Sequence, residues 1–270
     1  MHFKDFLPAL FLFAAAILQV GDAAQSKCTS SEISRMNVTH CDCAGVEHGC
    51  SSNCPVCDVT NLTKAVYHCA TAGCTDNQYD CGGCGIFFHS LCDCIQGTVD
   101  CPTSSPFKVN SNPIWVLLPA KAPHDPLITT TERLPGILEM GHGHDHGWIY
   151  AQEKYNSKTE SLWLNSVRAR DMEQVHIHMC KRNENTAKIL SHENIVSSSH
   201  LVQLKNDTEL YCLGVDHNVT ITGFSGALSS FLAKPPVCKE LIGAGILHDH
   251  KNRTWACAST THMGPKGKFC

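Results

Sequence analysis

Apolar and polar side chains alternate from Gln174 to Cys180: Val175, Ile177 and Met179 against Gln174, His176, His178 and Cys180. A period of two marks a strand with one face in a core, and it sets both imidazoles on the other side. A second run, Ser161 to Asn165, is followed by a polar turn holding Arg168, Arg170 and Asp171. The two runs read as a hairpin, with Asn165 at the strand end where its side chain could reach the histidine face.

Other stretches are read in the same way. Ile114 to Leu118 is an apolar strand candidate ended by Pro119, and a helix is expected to start near Pro135. Trp148 to Tyr155 has helical spacing, and Thr186 to Ser191 reads as a short helix. Leu210 to Leu213, Val219 to Thr222 and Thr254 to Ser259 read as strands. Ala227 to Ala233 is helical or irregular, and Cys238 to Ile246 suggests a helix interrupted by Gly243 and Gly245. The balance predicts an α+β fold with an antiparallel sheet bearing the site.

The front of the chain changes the picture. Thirteen of the eighteen cysteines fall between Cys28 and Cys101, where large apolar residues are few. Such a segment builds little core, so a small disulfide-rich module over residues 25–105 is expected, followed by a larger domain over residues 106–270. Thirteen is odd, so at least one of these cysteines pairs outside the segment or stays free. Zinc at the paired Cys-x-x-Cys spacings, or redox chemistry at Cys54 and Cys57, are weaker readings. Lys4, the apolar run Phe6 to Val20 and the small Ala23 and Ala24 read as a signal peptide over residues 1–24. Five Asn-x-Ser/Thr sites, at Asn37, Asn61, Asn206, Asn218 and Asn252, agree with a secretory route and glycosylation. A secreted or secretory-lumen protein is expected, with no transmembrane segment after the leader is removed.

The formal net charge is −4 and charged residues make up 17%, which excludes a disordered chain and gives no footprint for nucleic acid. Gly141 to Gly147 interleaves His142, His144 and His146 with glycine and aspartate. It resembles a metal tract, but glycine makes it flexible, and a solvated loop near the site is the favoured reading. His68, His89 and His200 carry no spacing signal. For His176 and His178 the residues alone leave three readings open. They could act in phosphoryl transfer by a nucleophilic imidazole, with Asn165, Gln174, Arg168 and Arg170 as donors to phosphate oxygens. They could be a pair of metal ligands. They could also be simply structural.

The Asn165-Ser166 pair, Arg170 in the turn, and Gln174-Val175-His176-Ile177-His178 together resemble the active-site segment of the histidine-triad hydrolase and transferase superfamily. They are most similar to its bacterial CDP-diacylglycerol pyrophosphatase branch. Trp115 to Pro119 and Thr131 to Glu139 look like that branch's upstream elements, so the resemblance covers roughly residues 107–185. It implies a histidine-triad-like domain in which His178 is the nucleophile and His176 its supporting member, with no metal or other cofactor. Arg133 is a weaker phosphate clamp than Arg170. A full triad would carry a third histidine at position 180, where this chain has Cys180, as the bacterial branch also departs from histidine there. A disulfide is the favoured fate of Cys180 in a secreted chain. The implied substrate is a nucleotide-linked pyrophosphate, lipid-linked CDP-diacylglycerol being the nearest, split to CMP and phosphatidate. Relatives of this kind dimerise, so a homodimer is a further expectation. The alternatives are a non-catalytic secreted binding or effector protein, and a metal-binding protein using His142 to His146.

Overall fold

The computed structural model describes residues 26–27, 41–42, 87, 91, 94, 101, 106–110, 112–120, 125–132, 134, 136–166, 169, 174–217, 219–237, 239–261 and 264–270. The expected leader, the Cys54 and Cys57 pair, Arg133, Arg168, Arg170, His68, His89, Asn37, Asn61 and Asn218 lie outside them. In the front segment β1 (Ser26–Lys27) pairs in parallel with β2 (Cys41–Asp42).

The larger sheet is antiparallel throughout. Its strands are β3 (Phe107–Val109), β4 (Asn112–Leu118), β5 (Leu127–Thr130), β6 (Glu160–Leu164), β7 (His176–Lys181), β8 (Val202–Gln203), β9 (Leu210–Val215), β10 (Gly243–His248) and β11 (Thr254–Ser259). Their order across the sheet is β3-β4-β5-β7-β6-β10-β11-β9-β8. The fold is therefore mixed α+β around a multi-stranded antiparallel sheet. The expected hairpin is β6 with β7, in a register that sets Trp163 opposite His178 and Leu164 opposite Ile177.

Alternation along each strand sorts the side chains into two layers. Leu162, Leu164, Val175, Ile177, Met179, Leu213, Ala244, Ile246, Ala256 and Ala258 build one core. Two helices close it: α1 (Asp145–Lys154) brings Trp148, Tyr150 and Ala151, and α3 (Phe224–Leu232) brings Phe224, Ala227 and Leu228. Trp163, Cys180, Leu210, Cys212, Leu247, Trp255 and Cys257 point the other way. They are covered by Leu190 of α2 (Glu184–His192) and Phe269 of the short α4 (Lys266–Phe269). Full burial of each large apolar side chain contributes roughly 1.5–3 kcal/mol.

Four elements differ from the sequence reading. Val219 to Thr222 is not a strand: the Gln152 side chain accepts from the Ile221 N–H and donates to the Ile221 carbonyl, both at 2.9 Å, replacing a neighbouring strand. Gly243 to His248 is a strand, preceded by a single 3-10 turn at Lys239–Leu241, where a broken helix was expected. Every residue of β10 is buried, so no period of two is visible in it. Gly245 is required there: a Cβ would lie 2.5 Å from the Leu162 carbonyl oxygen and 2.6 Å from the Phe269 ring. Leu127–Thr130 is a strand that the pattern did not mark. The stretch after Pro135 forms a turn, closed by the Glu139 N–H on the Gly136 carbonyl at 3.3 Å, instead of a helix. The expected strands at Ile114 to Leu118, Leu210 to Leu213 and Thr254 to Ser259, and the helix at Thr186 to Ser191, are present.

No described helix is long and apolar enough to cross a membrane. Three disulfides are present among the described residues: Cys94–Cys101, Cys180–Cys270 and Cys212–Cys257. Cys180 thus has the expected fate, and its bridge spans 90 residues to hold the C-terminal helix against β7.

Candidate functional site

His176 and His178 lie on one side of β7, the layer opposite α1 and α3. Their ring centroids are 4.7 Å apart at 71°, an edge-to-face pair. His176 is only 5% exposed, while His178 is half-buried. The strand pairing places Thr129 beside His176 and Leu127 beside His178. The Thr129 hydroxyl donates to the Val175 carbonyl at 2.7 Å and fixes the entry to β7.

The His176 ring is oriented by a hydrogen bond of 2.7 Å between Nδ1 and the Gln174 carbonyl oxygen. A carbonyl can only accept, so Nδ1 carries a proton and donates it to that carbonyl. Gln174 is itself held at both ends. Its amide nitrogen donates to the Thr130 carbonyl, and its amide oxygen accepts from the Phe87 N–H at 2.8 Å. With Gln174 only 1% exposed, this double anchoring satisfies both ends of a buried amide. The Phe87 ring meets His176 edge-on, with centroids 5.1 Å apart.

His178 stacks on Trp163, with centroids 4.1 Å apart and planes 13° from parallel. Sequence reasoning missed Trp163. The signal was available, since Trp163 is two residues before Asn165 on the same alternation and the hairpin register sets it opposite His178. The Trp163 indole N–H is buried and has no hydrogen-bond partner among the described residues. Lys266, at the start of α4, holds its ammonium 5.9 Å from the Trp163 ring centroid. Asn165 follows the last paired residue of β6 and is half-buried, and one further step of the register sets it opposite His176. Gln174, His176, His178 and the end of β6 are thus brought together, while Arg168 and Arg170 lie outside the described residues.

The histidine-glycine tract is not a loop at this site. His142–His144 is a 3-10 turn leading into α1, in the layer across the sheet from His176. His142 packs on α3, where a Cβ at Gly226 would fall 2.3 Å from its Nδ1. His144 Nδ1 accepts from the Gly141 N–H at 2.9 Å, and His146 stacks on Phe107 at 4.9 Å. Asp145 accepts from the backbone N–H groups of Gly223 and Ser225, capping α3. The tract therefore docks two helices. Among the described residues no group of three or more histidine, cysteine, aspartate or glutamate side chains is arranged to hold a metal ion. His200 is exposed and bonds Ser197 at 2.7 Å. Asn206 and Asn252 are both exposed.

A second buried polar cluster sits at the far end of the sheet. Burial pushes the Asp249 carboxyl up, but the Arg253 N–H, the Trp255 indole, the Arg253 guanidinium and the Lys251 N–H together hold it below the usual carboxylate range. Arg253 also donates to the Glu193 and Leu190 carbonyls at 2.9 and 2.7 Å, closing the C-terminus of α2. His248 is held below its ordinary value by burial and then by the nearby Arg182 charge, and it bonds the Thr254 hydroxyl at 3.1 Å. Burial also raises the Tyr150 phenol to about 12. These groups organise helix ends and strand edges.

No protein-family model matches the chain, and no curated protein matches it.

Proposed function

We propose that this chain is a secreted phosphoric-anhydride hydrolase working through a covalent histidine intermediate, with CDP-diacylglycerol as the nearest substrate. The observation that carries this reading is the anchoring of His176 Nδ1 on the Gln174 carbonyl, beside a second imidazole. With Nδ1 donating to that carbonyl, Nε2 is the nitrogen assigned to attack phosphorus in this reading. A P–N bond forms as the anhydride P–O bond breaks and the first product leaves. Water then cleaves the P–N bond, releasing a phosphomonoester and restoring the imidazole. His178, Asn165 and Lys266 are the neighbours available to stabilise charge on the phosphoryl oxygens. Arg168 and Arg170 are proposed for the same task from the sequence likeness alone.

The likeness to the histidine-triad superfamily gives the attack to His178 and support to His176. The fixed tautomer favours the reverse assignment, with His176 attacking. Incubation of the full chain with CDP-diacylglycerol, with CDP-choline as a lipid-free control, is expected to release CMP. Acid-sparing peptide mapping of rapidly quenched enzyme is expected to find the phosphoramidate on His176. An adduct on His178 reverses the two roles. No CMP and no adduct with either compound overturns the reading.

One observation favours a second reading, a non-catalytic binding protein. His176 is almost closed off beneath Phe87. Under that reading His176→Ala and His178→Ala leave the protein's biological effect intact, and neither compound is turned over.

A further inference from the structure

Among the described residues of the cysteine-rich front, Phe87 reaches the histidines. Phe87 is 9% exposed and Leu91 fully buried, and the Leu91 N–H donates to the Phe87 carbonyl at 2.9 Å. A disulfide joins Cys94 to Cys101, and the Cys101 sulfur lies 3.9 Å from the Leu117 carbonyl of β4. Cys101 thus lies against β4, which β5 separates from β7. At its near end the Phe87 backbone N–H supplies the partner for the Gln174 amide oxygen, and the Phe87 ring lies edge-on to His176.

We propose that Phe87, supplied by the cysteine-rich front, is a positioning residue of the histidine site. Its N–H locks the Gln174 side chain, and its ring shields the His176 imidazole from water. The Gln174 carbonyl that selects the His176 tautomer belongs to a residue whose other polar groups are already taken. Loss of the Phe87 donor strands a buried amide oxygen and loosens the peptide that orients the ring. The catalytic meaning of the shielding rests on the phosphoryl-transfer reading, because a drier pocket strengthens every charge interaction at phosphorus. The positioning itself does not rest on it.

The full chain tests this without reference to turnover. Diethyl pyrocarbonate acylates accessible neutral imidazoles, and peptide mapping reads each histidine separately. In the unaltered protein His176 is expected to react about tenfold or more slowly than the exposed His200. Phe87→Ala keeps the N–H and removes the ring, so His176 should speed up about tenfold, while Phe87→Leu restores most of the protection. Phe87→Pro removes the N–H; nitrogen-15 shifts of the His176 ring should then show loss of the single Nδ1–H tautomer. If His176 in the unaltered protein reacts as fast as His200, or keeps its rate in Phe87→Ala, the inference fails. That first comparison needs no variant and stands if Phe87→Pro does not fold. Protection of His176 without CMP release sinks the phosphoryl-transfer reading and leaves the positioning role, whereas CMP release with an unprotected His176 does the opposite.

Discussion

One layer of the sheet is closed by α1 and α3 with mainly apolar side chains: Trp148, Ala151, Phe224 and Leu228 against Leu162, Ile177 and Ile246. The other layer has an apolar cluster of its own, covered by Leu190 of α2 and Phe269 of α4, and it is further held by disulfides and polar links. There α4 is tied by Cys180–Cys270, β9 by Cys212–Cys257, and the front segment by Phe87 on Gln174. The Lys268 ammonium adds a link to Asp207 at 2.7 Å and to Glu209 at 2.8 Å. Burial lowers the proton affinity of Lys268, but hydrogen bonds to Asp207 and Glu209 outweigh it and raise its pKa. The contrast teaches where stability and chemistry are kept apart. Both layers have an apolar core, and the linked layer holds two imidazoles and a buried amide beside its own, where cross-links fix the elements around them.

The comparison is sharpest at His176. Replacing it with alanine is expected to lower CMP release by about 10,000-fold or more while costing only about 1–2 kcal/mol of folding stability, read from initial rates and urea unfolding. A loss of stability as large as that of a core truncation would show that His176 serves the packing of this layer instead of its chemistry. Next in size, Trp148→Ala on the apolar side should cost about 3–5 kcal/mol. Trp148→Phe should cost much less, because the buried Trp148 indole N–H has no partner among the described residues. Replacing both Cys180 and Cys270 by alanine should cost about 2–4 kcal/mol and release α4, with Lys266 moving away from Trp163. Little change in thermal midpoint would mean that Phe269 packing alone holds that end.

The smallest effect comes from pH. His248 lies on the side of the apolar layer, edge-on to Tyr155. Its folded pKa is depressed, so the unfolded chain takes up the proton first. Stability is complete above the ordinary value near 6.5 and falls as pH drops from there through the depressed folded value. The depressed Asp249 carboxyl adds a second loss at lower pH, below its ordinary 3.8. His248→Gln is expected to flatten the first step in urea midpoints taken from about pH 7 to about pH 5. An unchanged slope would place the titration elsewhere.

How much could be read from the chain depended on whether each strand faces two different environments. β7 faces a core and a site, so its alternation was plain and the hairpin with β6 followed. β10 is buried on both faces, and its run of small and apolar residues looked like a helix. Val219 to Thr222 has strand composition, but its backbone is satisfied by the Gln152 side chain from 69 residues away. The histidine-glycine tract is chemically suggestive, yet His142 packs on α3, His144 accepts from the Gly141 N–H and His146 stacks on Phe107. In the candidate site Gln174, His176 and His178 were legible as one alternating strand. Trp163 required the register, and Phe87 required the fold.

The sequence by itself determined the side of β7 on which both imidazoles lie, because alternation is a local property of extended backbone. It also marked the chain as one whose cysteines form cross-links. Only the tertiary structure decided what touches those rings. The Phe87 N–H meets Gln174 across 87 residues, Cys180 meets Cys270 across 90, and Trp163 meets His178 through a register. Contacts of that kind depend on which surfaces are buried together, and no local pattern of residues encodes that.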